Sequence, residues 1–168
     1  MTYPQGTAAA LVAVALAEVG NLEKGDNLTK YGEFTGANGL PWCGSFVNWC
    51  ANEAGVKIPN MVGTAAGAQK MKDLGRWQTV PKVGDLCFMD FPNDNLDRIS
   101  HVGIVVKDNG DGTVTTIEGN TAADKKGDQR NGGECCVKIR AFKKSNGGKL
   151  RKSQTVSIVG FGKPKFKE

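Results

Sequence analysis

Residues 42–55 have the sequence WCGSFVNWCANEAG, and this stretch sets the first element of the fold. Its apolar residues recur with the spacing of one helical face. The members of that face are Cys43, Phe46, Val47, Cys50 and Ala54. Glycine at position 55 is a typical helix stop. The stretch therefore predicts a helix that begins near Trp42 and turns this face toward the core.

The segments on either side of this helix predict further helices. Thr7 can cap a helix over residues 8–19, which Gly20 would end. Residues 20–40 are rich in glycine, asparagine and charge, and we expect them to form a loop. Thr64 can cap a third helix that runs through Leu74.

Beyond Pro81 the sequence changes to short β-branched or aromatic runs that are separated by turn residues. The runs are residues 86–89, 102–106, 114–117, 136–142 and 156–161. The sequence NGDG at 109–112 predicts a tight hairpin between the second and third runs. Helices followed by strands indicate an α+β fold, with N-terminal helices packed on a C-terminal antiparallel sheet.

The composition limits the chemistry. A length of 168 residues fits a single domain spanning residues 1–168. Five cysteines, with two of them adjacent, do not suggest a disulfide framework, so we expect reduced thiols. The longest apolar stretch, residues 8–19, is too short to span a bilayer and lacks the features of a signal peptide. The single histidine, His101, excludes a zinc site with two histidine ligands and must serve any reaction that needs an imidazole.

Charge is distributed unevenly along the chain. Residues 1–137 carry 12 basic and 16 acidic side chains, whereas residues 138–168 carry ten basic side chains and one acidic side chain. A block with a net charge of +9 is typical of contact with a polyanion such as nucleic acid, an anionic membrane or an acidic wall polymer. A solvated basic hairpin is an equally good interpretation of the same block.

Three positions are compatible with one thiol-based site, although each also fits a structural role, such as a buried cysteine on the core-facing side of the helix. Cys43 lies at a helix start, where the amide groups and the helix dipole favour a thiolate and can stabilise an oxyanion. His101 begins a strand and can exchange a proton with a thiol. The hairpin would place residue 101 near residue 119, so Glu118 or Asn120 can accept the other ring N–H, depending on the register of the strands.

Five blocks of sequence resemble the CHAP family, the cysteine, histidine-dependent amidohydrolases/peptidases. The blocks are PWCGSFVNWC (41–50), VGDLCF (83–88), HVGIV (101–105), IEGNT (117–121) and VGFGKP (159–164). The resemblance implies a papain-like α+β fold that cleaves amide bonds in bacterial peptidoglycan. It assigns Cys43 as the nucleophile, His101 as the general base and acid, Glu118 as the residue that orients His101, and Asn120 as a supporting residue.

The resemblance also implies the course of the reaction and its setting. The thiolate would form a thioester without a cofactor, as an N-acetylmuramoyl-L-alanine amidase or as a stem or cross-bridge endopeptidase. Many relatives are phage endolysins, which fits a monomer made in the host cytoplasm without a signal peptide and acting at the cell wall. The basic segment 138–168 would be attracted to anionic wall polymers, and a nucleic-acid partner is not expected.

Two residues near the expected cleft are candidates for substrate contact. Trp42 would line the cleft beside the nucleophile and also have a structural role, and Asp97, in the loop before His101, would either meet an amine of the substrate or be only solvated. Some CHAP domains bind calcium before the nucleophile, but residues 23–27 offer two carboxylates where calcium needs six to eight oxygens, so no metal is expected. The alternatives are an NlpC/P60-type endopeptidase, a non-catalytic wall-binding module, and a nucleic-acid-binding domain driven by the basic C-terminus.

Overall fold

The computed structural model describes residues 2–91, 98–124, 126–143 and 156–167. These residues form four helices and one antiparallel six-stranded sheet with the strand order β1-β6-β2-β3-β4-β5. The elements are α1 Ala8–Ala17, α2 Lys30–Thr35, α3 Cys43–Glu53, α4 Thr64–Asp73, β1 Trp77–Gln78, β2 Leu86–Met89, β3 His101–Asp108, β4 Thr113–Thr121, β5 Glu134–Ala141 and β6 Ile158–Gly162. The predicted α+β arrangement is confirmed.

The predicted helices are present, with differences at their ends. Thr7 caps α1 as expected, since its side chain accepts a hydrogen bond from the amide of Ala10. The predicted loop over residues 20–40 is wrong in one place, because it contains the six-residue helix α2. Thr29 caps that helix, and Gly36 ends it in the left-handed conformation with φ 72°. At α4 the cap is Gly63, and Thr64 is the first helical residue rather than the cap.

The helices and the sheet meet in one main core. The predicted apolar face of α3 is buried, and it packs with the inward side chains Val102, Ile104 and Ile117 of the sheet. Gly119 allows α3 to approach β4 closely, because a Cβ added at that position would lie 2.6 Å from the Cβ of Phe46. A smaller apolar cluster that includes Cys87, Val105 and Val114 is also buried. None of the helices in the described ranges has the length and apolar character that a membrane crossing requires.

The β3–β4 hairpin turns at residues 109–112, as the sequence predicts. The amide of Asn109 donates to the carbonyl of Thr113 at 3.0 Å. The register expected from this turn, with residue 101 near residue 119 and therefore residue 107 near residue 113, is wrong, because Lys107 pairs with Thr115 and, beyond a bulge, Ile104 pairs with Ile117. The extra residue at the bulge shifts the side chains of β3 relative to those of β4.

Candidate active site

Cys43 is the first residue of α3 and is buried, with 4% of its surface exposed. Its sulfur interacts with the backbone N–H groups of Gly44 in α3 and Val102 in β3. Burial raises the pKa of the Cys43 thiol, but the interaction with His101 and these two N–H groups outweigh burial and lower it below its ordinary value. The helix start therefore presents a thiol that is disposed to ionise.

His101, the first residue of β3, is fully buried beside this sulfur. Its ring nitrogen Nε2 lies 2.8 Å from Oε1 of Glu118. The other ring nitrogen, Nδ1, has no hydrogen bond of standard geometry within the described residues, so it is the atom left to face Cys43. Burial lowers the pKa of His101, but its interactions with Cys43 and Glu118 outweigh burial and raise the pKa to about 9. The opposite shifts of the two pKa values favour a thiolate–imidazolium ion pair.

Glu118 in β4 is the carboxylate behind the histidine, and it is fully buried. Burial raises the pKa of Glu118, but the guanidinium of Arg140 and the hydrogen bond from His101 outweigh burial and hold the pKa well below its usual range. An ionised carboxylate only accepts hydrogen bonds, so Nε2 of His101 must carry the hydrogen. Of the two residues that the sequence left open for this role, the structure brings Glu118 and not Asn120 to the ring.

Asn120 organises a neighbouring loop. Its backbone is in the left-handed region with φ 57°. Its side-chain amide donates to Asn131 at 2.8 Å, and its side-chain oxygen accepts from the amide of Gly133 at 3.0 Å. Both polar atoms thus hold the chain where it turns back into β5, so Asn120 supports the loop beside the site.

The two predicted substrate contacts have different outcomes. Trp42 is fully buried, its ring stacks on Tyr31 at 5.4 Å, and its indole N–H donates to Glu23 at 2.9 Å. It therefore belongs to the core and presents no surface to a substrate, contrary to the expectation that it lines the cleft. Asp97 lies outside the described residues.

A groove of about 410 Å³ reaches the nucleophile. Its lining combines small and apolar residues with two arginines: Leu40, Pro41, Cys43, Val62, Gly63, Thr64, Ala65, Ala66, Arg98, Ile99, Ser100 and Arg130. A larger hollow of about 510 Å³ lies beside α2, but Cys43, His101 and Glu118 do not line it. The smaller groove is therefore the candidate substrate site.

Sequence reasoning missed Arg140 and Gly103. The guanidinium of Arg140 forms a fork on Glu118, with Nη2 at 2.7 Å from Oε1 and Nε at 2.9 Å from Oε2. Gly103 leaves room for Glu118, because a Cβ added there would lie 2.6 Å from the Cγ of that residue. Arg140 is one of ten basic residues in the segment 138–168, so the sequence does not distinguish it from the other nine.

No group of three or more histidine, cysteine, aspartate or glutamate side chains suited to holding a metal ion occurs in the described part of the chain. All five cysteines are described as free thiols.

A cysteine at a helix start facing a carboxylate-oriented histidine on an antiparallel sheet is the arrangement that papain-like thiol hydrolases use. The model of the CHAP domain matches residues 35–120, and the chain belongs to the CHAP family, whose members are cysteine- and histidine-dependent hydrolases associated with peptidoglycan.

Among solved structures, the chain is similar to a protein of Staphylococcus aureus subsp. aureus Mu50 described as similar to lipoprotein, of the NLP/P60 family. It is 14% identical, with a TM-score of 0.49, and the match covers 97% of this chain and 43% of that chain. This chain thus spans less than half the length of that structure. No curated protein matches the sequence.

Proposed function

We propose that this protein is a peptidoglycan hydrolase that cleaves amide bonds of the bacterial cell wall through a thioester on Cys43. The observation that carries the proposal is the buried series of contacts from Cys43 through His101 to Glu118, which opens at its sulfur end onto the groove. A groove at the nucleophile gives an extended glycan–peptide substrate room to place a carbonyl carbon near the sulfur.

The first step is attack on the carbonyl. The Cys43 thiolate forms a C–S bond, and the electron pair of the carbonyl double bond moves to oxygen. The backbone N–H of Cys43 is among the first amides of α3 and has no partner within the helix, so it can stabilise this oxyanion. The imidazolium of His101 balances the thiolate charge before the attack.

The second step releases the amine. The tetrahedral intermediate collapses, the C–N bond breaks, and Nδ1 of His101 gives its proton to the leaving nitrogen. The products of this step are a free amine, a thioester on Cys43 and a neutral imidazole. Glu118 keeps its hydrogen bond to Nε2 throughout, which holds the ring with Nδ1 toward the reacting atoms.

The third step regenerates the enzyme. Nδ1 of His101 takes a proton from water while the water oxygen attacks the thioester carbonyl. The C–S bond then breaks, a carboxylic acid leaves, and the thiolate–imidazolium pair is restored.

The broader role is also part of this proposal. The protein would act as a phage endolysin, with a monomeric catalytic domain that is made in the host cytoplasm and works at the cell wall as an amidase or an endopeptidase. Peptidoglycan would be its substrate, and the excess of basic residues in 138–168 supports attraction to anionic wall polymers. Residues 144–155 of that segment lie outside the described residues. This attraction should weaken as added salt screens the charges.

The proposal is tested with purified cell walls and the variants Cys43→Ala and His101→Ala. We expect the wild type to clear the walls and both variants to lose at least about a hundredfold of the rate. Cys50→Ala is the matched control, because Cys50 is a buried thiol on the same helix with a raised pKa. Mass spectrometry of the fragments identifies the newly freed amine and separates amidase from endopeptidase action. Full clearing by Cys43→Ala would refute the mechanism, and binding to walls without product release would indicate a binding module.

A further inference from the structure

Arg140 is a nearly buried cation that contacts several groups behind the catalytic histidine. Only 10% of its side chain is exposed. Besides its fork on Glu118, it donates to Oε1 of Gln129 at 3.1 Å and to Oγ1 of Thr121 at 3.3 Å. Its guanidinium lies 5.0 Å from the centre of the Phe91 ring, which in turn lies 5.6 Å from the ring of His101. Arg140 thus contacts both oxygens of the Glu118 carboxylate, and its own position is fixed by its contacts with Gln129 and Thr121.

We propose that Arg140 is a positioning residue: its forked contact keeps Glu118 ionised and in place through the whole reaction cycle, so that His101 keeps Nδ1 toward Cys43. The inference rests on the proposed function and extends it to a residue on a fourth element of the site, β5.

The need for a permanent cation follows from the changing charge of His101. In the resting state the imidazolium lies between the Cys43 thiolate and Glu118 and favours both anions, but after the amine leaves, the imidazole is neutral. A buried carboxylate without an opposite charge would then bind a proton. A guanidinium cannot lose its proton at any pH where the protein works, so Arg140 balances Glu118 in both halves of the cycle.

Protonation of Glu118 would change the tautomer of His101. A carboxylic acid would keep its proton and donate a hydrogen bond to Nε2, which must then be an acceptor, so the imidazole hydrogen would reside on Nδ1, facing the sulfur. A histidine in that form cannot take a proton from water, so the thioester would not be hydrolysed. By keeping Glu118 an acceptor, Arg140 fixes the tautomer that the reaction requires.

The other ionisable groups around Glu118 cannot replace this cation. His101 faces it from β3, Cys87 from β2 and Cys136 from β5, while Cys43 acts on it through His101. Burial raises the pKa of the Cys87 thiol above its ordinary value and that of the Cys136 thiol to about 11, so both are neutral near pH 7. Thr116 also donates to Glu118 at 2.6 Å but carries no charge. Arg140 is therefore the permanent cation among these groups.

The test compares three substitutions at this position. Arg140→Met and Arg140→Gln remove the charge, whereas Arg140→Lys keeps a cation but loses the forked contact. Lys138→Met is the matched control, since Lys138 is a cation on the same strand and its ammonium donates to the carbonyl of Ala122. Each protein is assayed on soluble fragments of purified peptidoglycan across pH, and its fold is checked by circular dichroism.

We expect the uncharged variants to lose at least about tenfold in kcat with KM within about twofold of wild type. The acid limb of their pH profile should move up by about one pH unit or more, because Glu118 would bind a proton more readily. Arg140→Lys should lose several-fold in kcat with its acid limb unmoved, and Lys138→Met should match the wild type. An unmoved acid limb in a folded uncharged variant would overturn the proposal.

Nitrogen NMR of the single histidine provides a readout that a merely structural role would not move. In the neutral form of His101, the wild type should carry the ring hydrogen on Nε2. In the uncharged variants, the population with that hydrogen on Nδ1 should increase. If neither uncharged variant folds, the pH profile of Arg140→Lys is the test. Because this variant keeps a cation beside Glu118, an acid limb that moves would refute the proposed role of the charge. If the wild type releases no product, the proposed function fails, while the tautomer of His101 still tests the role of Arg140.

Discussion

The pKa of His101 is a direct measure of the ion pair at the site. The chain has one histidine, so its imidazole signals can be assigned without ambiguity. The structure raises this pKa from 6.5 to about 9 against the effect of burial, and the interaction with Cys43 is the largest of the causes that raise it. We therefore predict that Cys43→Ala lowers the pKa of His101, because burial remains and only Glu118 still favours the charged ring.

The magnitude follows from the size of the shift. A pKa that rises from 6.5 to about 9 corresponds to about 3 kcal/mol in favour of the imidazolium. Since the interaction with Cys43 is the largest favourable cause, its removal should lower the pKa of His101 by about one pH unit, which corresponds to about 1 kcal/mol. In the wild type, His101 should stay protonated up to about pH 9, where its loss of a proton removes the acid for the leaving amine and sets the alkaline limb of activity.

The assay is a pH titration followed by carbon and nitrogen NMR of His101 in the wild type, Cys43→Ala and Cys50→Ala. The Cys50 variant is the control: burial raises the pKa of its thiol well above the ordinary value, so that thiol carries no charge to remove. The control should titrate like the wild type. A wild-type pKa near 6.5, or an unchanged pKa in Cys43→Ala, would refute the ion pair.

Three further substitutions test the surroundings of the site and the core. Gly103→Ala places a Cβ 2.6 Å from the Cγ of Glu118, so thermal unfolding should show a loss of about 1–3 kcal/mol with reduced hydrolysis; full activity would argue against this crowding. Tyr31→Phe removes the buried donor to Glu18 at 2.9 Å and should lower the free energy of unfolding in urea by about 1–2 kcal/mol, and no change would contradict this. Burial raises the pKa of Asp85 from 3.8 to about 6, so the wild type loses stability as the pH rises through this range and Asp85 ionises. The free energy of unfolding of Asp85→Asn should therefore increase relative to that of the wild type between pH 4 and 8, and a relative decrease would refute this reasoning.

Much of the fold could be predicted from local sequence. The helical face that begins at Cys43 and the strand at residues 86–89 were predicted from the spacing of apolar residues, which burial in the structure confirms. Helix α2 was missed because six residues make fewer than two turns and show no measurable periodicity. The hairpin turn was predicted from its glycines, but the pairing was not, since the bulge between Val105 and Lys107 depends on how the sheet packs.

The site was predictable where chemistry limits the choice of residue and less so where geometry decides. A single histidine and a cysteine at a helix start can be recognised in the sequence, and the structure brings Cys43 and His101 together. Trp42 precedes Cys43 in sequence, but successive residues at a helix start project in directions about 100° apart, and its indole turns inward to Glu23. Arg140 was missed because a contact across β4 and β5 depends on a register that local sequence does not specify.

The charges of the site explain how so many ionisable groups can be buried together. Cys43, His101, Glu118 and Arg140 come from α3, β3, β4 and β5 in turn, and their charges alternate from thiolate to guanidinium. Burying an unpaired charge costs several kcal/mol, whereas an alternating series leaves each charge beside its opposite and sums to zero. Removing a residue at one end therefore alters the protonation of the rest, so the distant guanidinium and the nucleophile are expected to influence the same pKa of His101.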